Sequence, residues 1–148
     1  MKIEKAIFLD IDGVLALTFG FSLPESEWLW GTAYPFDKPC VETLNKILEL
    51  TDAEIVLTSQ WRVDYTRDEL EQIFAWNNVL KSPLAVTEHI GGFTRCLEIE
   101  SFMEENQVEK FVIIDDMHLE CYPKQFIHTI MESGLNESHI EKILKILS

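Results

Sequence analysis

Basic residues are scarce in this chain: 12 Lys and Arg stand against 26 Asp and Glu, a formal charge of −14 over 148 residues. A deficit of that size excludes a broad basic surface tracking a nucleic-acid backbone, so no extended nucleic-acid interface is expected. It leaves room for a single nucleic-acid end held locally by one or two arginines. Cysteine is equally sparse. Cys40, Cys96 and Cys121 are odd in number, far apart and without zinc-ligand spacing. No disulfide framework is expected, and all three read as free thiols in a reducing cytoplasm. No apolar run approaches the ~20 residues that span a bilayer. The opening Met1-Lys2-Ile3-Glu4-Lys5 mixes acid and base and flows into an apolar strand, unlike a secretory leader. No membrane partner is expected. Repeats, low-complexity tracts and linkers are lacking too, which predicts one domain over residues 1–148.

Apolar residues, by contrast, make up 47% of the chain, enough for a layered core. Ala6–Leu9, Ala53–Leu57 and Phe111–Ile114 are short apolar runs of the kind that form buried strands, with weaker strands at Leu84–Val86 and Gln125–Thr129. Between them, apolar residues at helical spacing predict helices after Pro39, over Thr66–Trp76, over Arg95–Asn106, and from an Asn136 cap to the C-terminus. Alternating strands and helices predict an α/β fold, a mainly parallel sheet covered on both faces in a three-layer, Rossmann-like arrangement. The connection over about residues 16–38 is unusually long. It holds Phe19, Phe21, Trp28, Trp30, Tyr34 and Phe36, which either tuck onto the core or wall a pocket, as a lid would.

The strongest strands share a peculiarity: each ends in paired polar residues. Asp10 and Asp12 follow the first, Thr58 and Ser59 the second, Asp115 and Asp116 the late one. Strand alternation would put Phe8, Asp10 and Asp12 on one face, and Gly13 lets the chain turn away. In an open parallel sheet, ligands sit beyond the carboxyl ends of the strands. Four carboxylates converging there repel one another unless a hard cation such as Mg²⁺ lies among them.

Asp10-Ile11-Asp12-Gly13-Val14, Thr58, and Asp115-Asp116 resemble motifs one, two and four of the haloacid-dehalogenase-like (HAD) phosphatases. Leu57-Thr58-Ser59-Gln60-Trp61-Arg62, Arg95-Cys96-Leu97-Glu98-Ile99, Val112–Asp116 and Gln125–Thr129 are similar to small HAD domains of multi-domain RNA-repair proteins. The resemblance implies a fold with a short lid in place of a full cap domain, and a Mg²⁺-dependent phosphomonoesterase. Asp10 would be the nucleophile, forming an aspartyl-phosphate, and Asp12 the general acid and base. Thr58 and Ser59 would bind the phosphoryl group. Asp10, Asp115, Asp116 and the main-chain carbonyl of Asp12 would hold the ion. Arg95 fits the motif-three cation best, with Lys81 and Lys110 as alternatives. Arg62 either grips a second anionic group on the substrate or makes a surface ion pair with Asp64 or Glu69. Glu98, Glu100, Glu104 and Glu105 read as a solvated helix face, and the four histidines show no metal pattern. A phosphorylated substrate is implied, with a nucleotide or nucleic-acid phosphate end favoured by the RNA-repair resemblance. A non-catalytic phospho-signalling or binding module is the alternative. A receiver-type domain would carry its acidic pair after the first strand, however, and here the pair comes late.

Overall fold

The computed structural model describes residues 1–17, 23–92 and 94–148; Phe19, Phe21 and Phe93 lie outside the described residues. Five strands form one sheet in the order β3-β2-β1-β4-β5: β1 Lys2–Leu9, β2 Glu54–Leu57, β3 Ala85–Val86, β4 Gln107–Asp115 and β5 Phe126–His128. Every pairing is parallel. The expected three-layer α/β architecture is what these residues build.

β1 and β4 run longer than their apolar cores suggest. Lys2–Lys5 pairs along Gln107–Lys110, and there only Ile3 is buried on β1. This half of the central pair alternates polar and apolar where a hydrophobic-run criterion sees no strand.

The helices are α1 Lys38–Thr51, α2 Trp61–Asp64, α3 Arg67–Trp76, α4 Arg95–Glu105 and α5 Ile140–Leu147. Pro39 sits in the first turn of α1, and Asp52 in the left-handed region ends it. Thr66 and Glu69 close a reciprocal capping box at the start of α3. The Asn136 side chain caps a 3-10 turn, Glu137–His139, that leads into α5. The short α2 lies where no helix is expected from the sequence.

The two faces of the sheet are covered unequally. Ile7, Leu9, Ile55 and Ile114 point toward α1, α3 and α5, which contribute residues such as Leu44, Phe74 and Ile143 to one large cluster. Phe8, Val56 and Ile113 point the other way, toward Ile99 and Phe102 of α4. The rows continue past the strand ends. Leu9 is in register with Leu57 and with Ile114, so the next row outward holds Thr58, Asp10 and Asp115 side by side. By strand parity these three share the α4 face with Phe8, Val56 and Ile113. Connections run outward from β1 to β3 on one side and from β4 to β5 on the other. The switch point therefore falls between β1 and β4. No helix among the described residues is long and apolar enough to cross a membrane.

Two of the three cysteines are not free thiols. Cys96 in α4 and Cys121 in the loop after β4 are disulfide-bonded, with Cα atoms 5.9 Å apart. Only Cys40 is a free cysteine, and it is buried, with burial pushing its thiol up to about 11. The expectation failed because cysteine spacing carries no information on which elements the fold lays together.

Candidate active site

Asp10, Asp115 and Asp116 each offer a carboxylate oxygen, all within 4.8 Å of one another. Main-chain bonds fix them. The Asp10 N–H donates to the Ile114 carbonyl (3.1 Å) and the Thr58 N–H to the Leu9 carbonyl (2.9 Å), extending the ladder past the strands. The Met117 N–H donates to Asp115 Oδ1 at 2.9 Å. His128 donates from Nε2 to the Asp116 carbonyl at 2.8 Å, and the buried Thr129 hydroxyl donates to the Gly13 carbonyl at 2.8 Å. The end of β5 thereby holds both acidic turns.

Burial is the chief reason that the Asp10 carboxyl is held well above its usual range. The Asp115 charge adds to it, and Arg95 opposes it. Asp115 is raised by burial as well, against the pull of Arg95. Arg95, at the first position of α4, donates from Nη1 to Asp115 Oδ2 and lies 3.6 Å from Asp10 Oδ1. Neither alternative cation is near. Lys81 pairs with Asp52 and Glu54 at the amino end of β2, and Lys110 donates to the Ser148 carbonyl.

Asp12 has partners of its own. β1 ends at Leu9, and Asp12 forms an isolated bridge with Ala16, so strand alternation does not carry its side chain onto the Asp10 face. Its Oδ1 accepts from the Tyr34 hydroxyl and its Oδ2 from the Trp61 indole N–H at 3.1 Å. The described part of the aromatic segment tucks partly onto the core, one of the two roles considered for it. Phe36 packs into the core against Trp61 and Phe74, while Tyr34 reaches the acidic edge.

Thr58 is fully buried, and its hydroxyl has no hydrogen-bond partner; the buried Trp28 indole N–H is the other such group among the described residues. A hydroxyl placed level with Asp10 and left without a partner is costly unless a ligand completes it. Ser59 serves the backbone, its Oγ accepting from the Trp61 N–H at 3.2 Å.

Arg62 corrects both readings given to it. Its side chain is only 3% exposed, and it pairs with Glu98 at 2.6 Å, not with Asp64 or Glu69. Its other donors go to the carbonyls of Thr87, Thr58 and Ser59. A guanidinium so fully engaged clamps the Thr58 turn and has no fork left for a substrate anion. Glu98 likewise departs from the solvated helix face. It is buried, accepts from the Ile90 N–H at 2.9 Å, and lies between Arg62 and Arg95.

Tyr34, Trp61, Glu98, His128 and Thr129 are the residues that sequence reasoning did not single out. Trp61, Glu98, His128 and Thr129 lie in stretches that carry the resemblance, but nothing there marked the individual side chains; Tyr34 had no such signal.

The donor set suits a hard divalent cation: oxygen ligands only, converging and largely buried. Four acids, Asp10, Asp115, Asp116 and Glu98, face two guanidiniums, Arg62 and Arg95, and a bound cation would offset that excess of acid. A cavity of about 490 Å³ lies at the other end of the sheet, beside Lys2 and Lys5 and away from the acidic cluster.

In comparisons with known proteins, a family model described as the HAD domain in Swiss Army Knife RNA repair proteins matches residues 6–140. No curated protein and no solved structure matches the chain.

Proposed function

We propose that this chain, which belongs to the family of HAD domains in Swiss Army Knife RNA repair proteins, is a Mg²⁺-dependent phosphomonoesterase that works through an aspartyl-phosphate on Asp10. In this reading it is one domain, and residues 16–38 serve as its lid. One observation carries the reading above the rest: Asp10 and Asp115 of the acidic cluster are buried, with the partnerless Thr58 hydroxyl on the same row.

An Asp10 oxygen attacks phosphorus, and the bond from phosphorus to the leaving alcohol breaks. Asp12 gives that alcohol its proton. Water then attacks the aspartyl-phosphate as Asp12 takes a proton back, and phosphate leaves with Asp10 restored. The Tyr34 hydroxyl and Trp61 indole fix the Asp12 carboxylate, one donor to each oxygen, so its proton is delivered from a defined place. Thr58 donates to a phosphoryl oxygen, which would satisfy its buried hydroxyl. Arg95 offsets the crowding of Asp10 and Asp115. Held by Asp10, Asp115 and Asp116, Mg²⁺ would supply charge neutralisation for the incoming phosphoryl group. A short lid in place of a full cap suits a bulky ester, and a nucleotide or nucleic-acid phosphate end is the substrate class this family's description favours.

The test is phosphate release from an aryl phosphate with Mg²⁺. We expect activity that a chelator abolishes and that Asp10→Asn lowers by about three orders of magnitude or more. Full activity in Asp10→Asn would end the nucleophile assignment. Binding of a phosphoryl mimic with no turnover of any ester would favour a non-catalytic module.

A further inference from the structure

A run of aromatic rings leads away from Asp12, and past Trp61 the chemistry above does not use it. Trp61, whose indole donates to Asp12, packs on Tyr65 with ring centres 5.5 Å apart. Tyr65 in turn faces Trp30 at 6.4 Å with the planes tilted by 35°. Trp30 ends the run. It is 46% exposed at the tip of a small hairpin closed by the Leu29–Ala33 bridge, and the neighbouring Gly31 has nothing within 4 Å of where a Cβ would be.

Its backbone is unusual as well. Trp30 has φ +56°, a left-handed conformation that a bulky residue adopts only where its surroundings impose it. A large indole presented to solvent on a strained backbone is not what core packing needs. Two ring-to-ring steps separate it from the indole on Asp12, the length scale of a nucleotide.

The charges around the site say what kind of contact remains for substrate recognition. Arg62 is buried against Glu98, and Arg95 is held by Asp115 and Asp10. Lys81 and Lys110 are tied up elsewhere. The chain as a whole carries −14. None of these four cations is therefore free to grip a second phosphate, whereas an aromatic face binds any base without needing charge.

We propose that Trp30, backed by Tyr65, is a stacking platform for a base on the leaving group, so that the site takes nucleotides in preference to simple alkyl phosphates. The proposal rests on the phosphatase reading and names the substrate class of that same site.

The test compares adenosine monophosphate, as 3′ and 5′ esters, with glycerol phosphate in the native protein and in Trp30→Ala, Trp30→Phe and Trp76→Ala. The 5′ ester and glycerol 3-phosphate release primary alcohols, the 3′ ester and glycerol 2-phosphate secondary ones, and only the adenosine esters carry a base. The native protein should favour an adenosine ester by about tenfold in kcat/KM, the scale of one base–aromatic stack. Trp30→Ala should bring that ratio close to one. Trp30→Phe should keep most of it, and the remote Trp76→Ala should leave it alone. No native preference, a preference that survives Trp30→Ala, or an equal loss on both esters would overturn the platform.

Calorimetric titration of Asp10→Asn with adenosine monophosphate, with and without Trp30→Ala, separates this inference from the phosphatase reading. If neither ester is turned over, the phosphatase reading fails by itself. Binding weakened about tenfold by Trp30→Ala would still support the platform, and binding indifferent to it would overturn the platform alone.

Discussion

Gly13 turns the chain out of the β1 end at φ +81°, and a Cβ there would overlap the Asp116 carboxylate and stand 2.7 Å from the Asp116 Cβ. Gly13→Ala should therefore displace a carboxylate of the acidic cluster as well as strain the turn. We expect metal-dependent activity to be lost, with a fall in Tm of more than 4 °C. Gly31→Ala is the comparison: at φ +70° with open space around it, it meets conformational strain alone, about 1 kcal/mol, or about 2–4 °C in a chain of this size. Thermal melts of the two variants check the contrast, and equal shifts would refute it. Asp10 gives a second prediction at this scale. Its folded-state pKa lies above the unfolded one, so the metal-free folded state binds the extra proton. Stability then rises as pH falls toward the ordinary carboxylate range and declines as pH rises through the folded pKa. Asp10→Asn removes that cost. In chelator, its Tm should exceed the native value at about pH 7, and the gap should narrow toward about pH 5. Calorimetric scans at the two pH values test this, and a less stable Asn variant at neutral pH would contradict it.

α4 is the element that makes the site more than a row of strand ends. It brings Arg95 to the acids, Glu98 to Arg62, and Cys96 to Cys121. Glu98→Gln would leave the buried Arg62 guanidinium without its counter-charge, while Arg95 keeps Asp115. Removing one partner of a buried ion pair typically costs about 3–5 kcal/mol, so a Tm drop of roughly ten degrees is expected. Adding Arg62→Met should recover part of it. Denaturant unfolding of the single and double variants reads this coupling, and additive losses would count against it. The same helix shows where sequence pattern stops being informative. β1 and β4 announce themselves because an apolar run ends abruptly in acid, and Thr58 follows a similar run. Glu98 sits among Glu100, Glu104 and Glu105, and composition cannot say which acid turns inward, since its burial depends on Arg62 arriving from a turn some 36 residues earlier. Tyr34 is likewise legible only as one aromatic in a rich loop. Its bond to Asp12 depends on how the segment folds back over α2, which no periodicity records.

For the whole molecule, charge decides how a substrate arrives. A phosphate ester approaches a body of net charge −14 with repulsion that added salt screens. KM for an anionic ester should fall, by up to about threefold, as KCl rises from about 20 to about 200 mM. A basic nucleic-acid enzyme shows the opposite trend. Steady-state kinetics across that range give the sign directly, and a KM that climbs steeply with salt would point to cationic contacts that the described residues do not supply.

The row that holds Asp10 beside Asp115 joins strands about a hundred residues apart along the chain. Closing so long a loop is slow and entropically costly, and it precedes any reward from the central pairing. β1 and β2 can meet much sooner, through the shorter connection carrying α1. A newly made or partly denatured chain would then hold Asp10 on a sheet edge still missing Asp115, Asp116 and β5, with none of the crowding that raises its proton affinity. Chemical competence would switch on with the last long-range pairing rather than with secondary structure. Activity would then be a late reporter of folding, silent in intermediates that already look largely native by helix content.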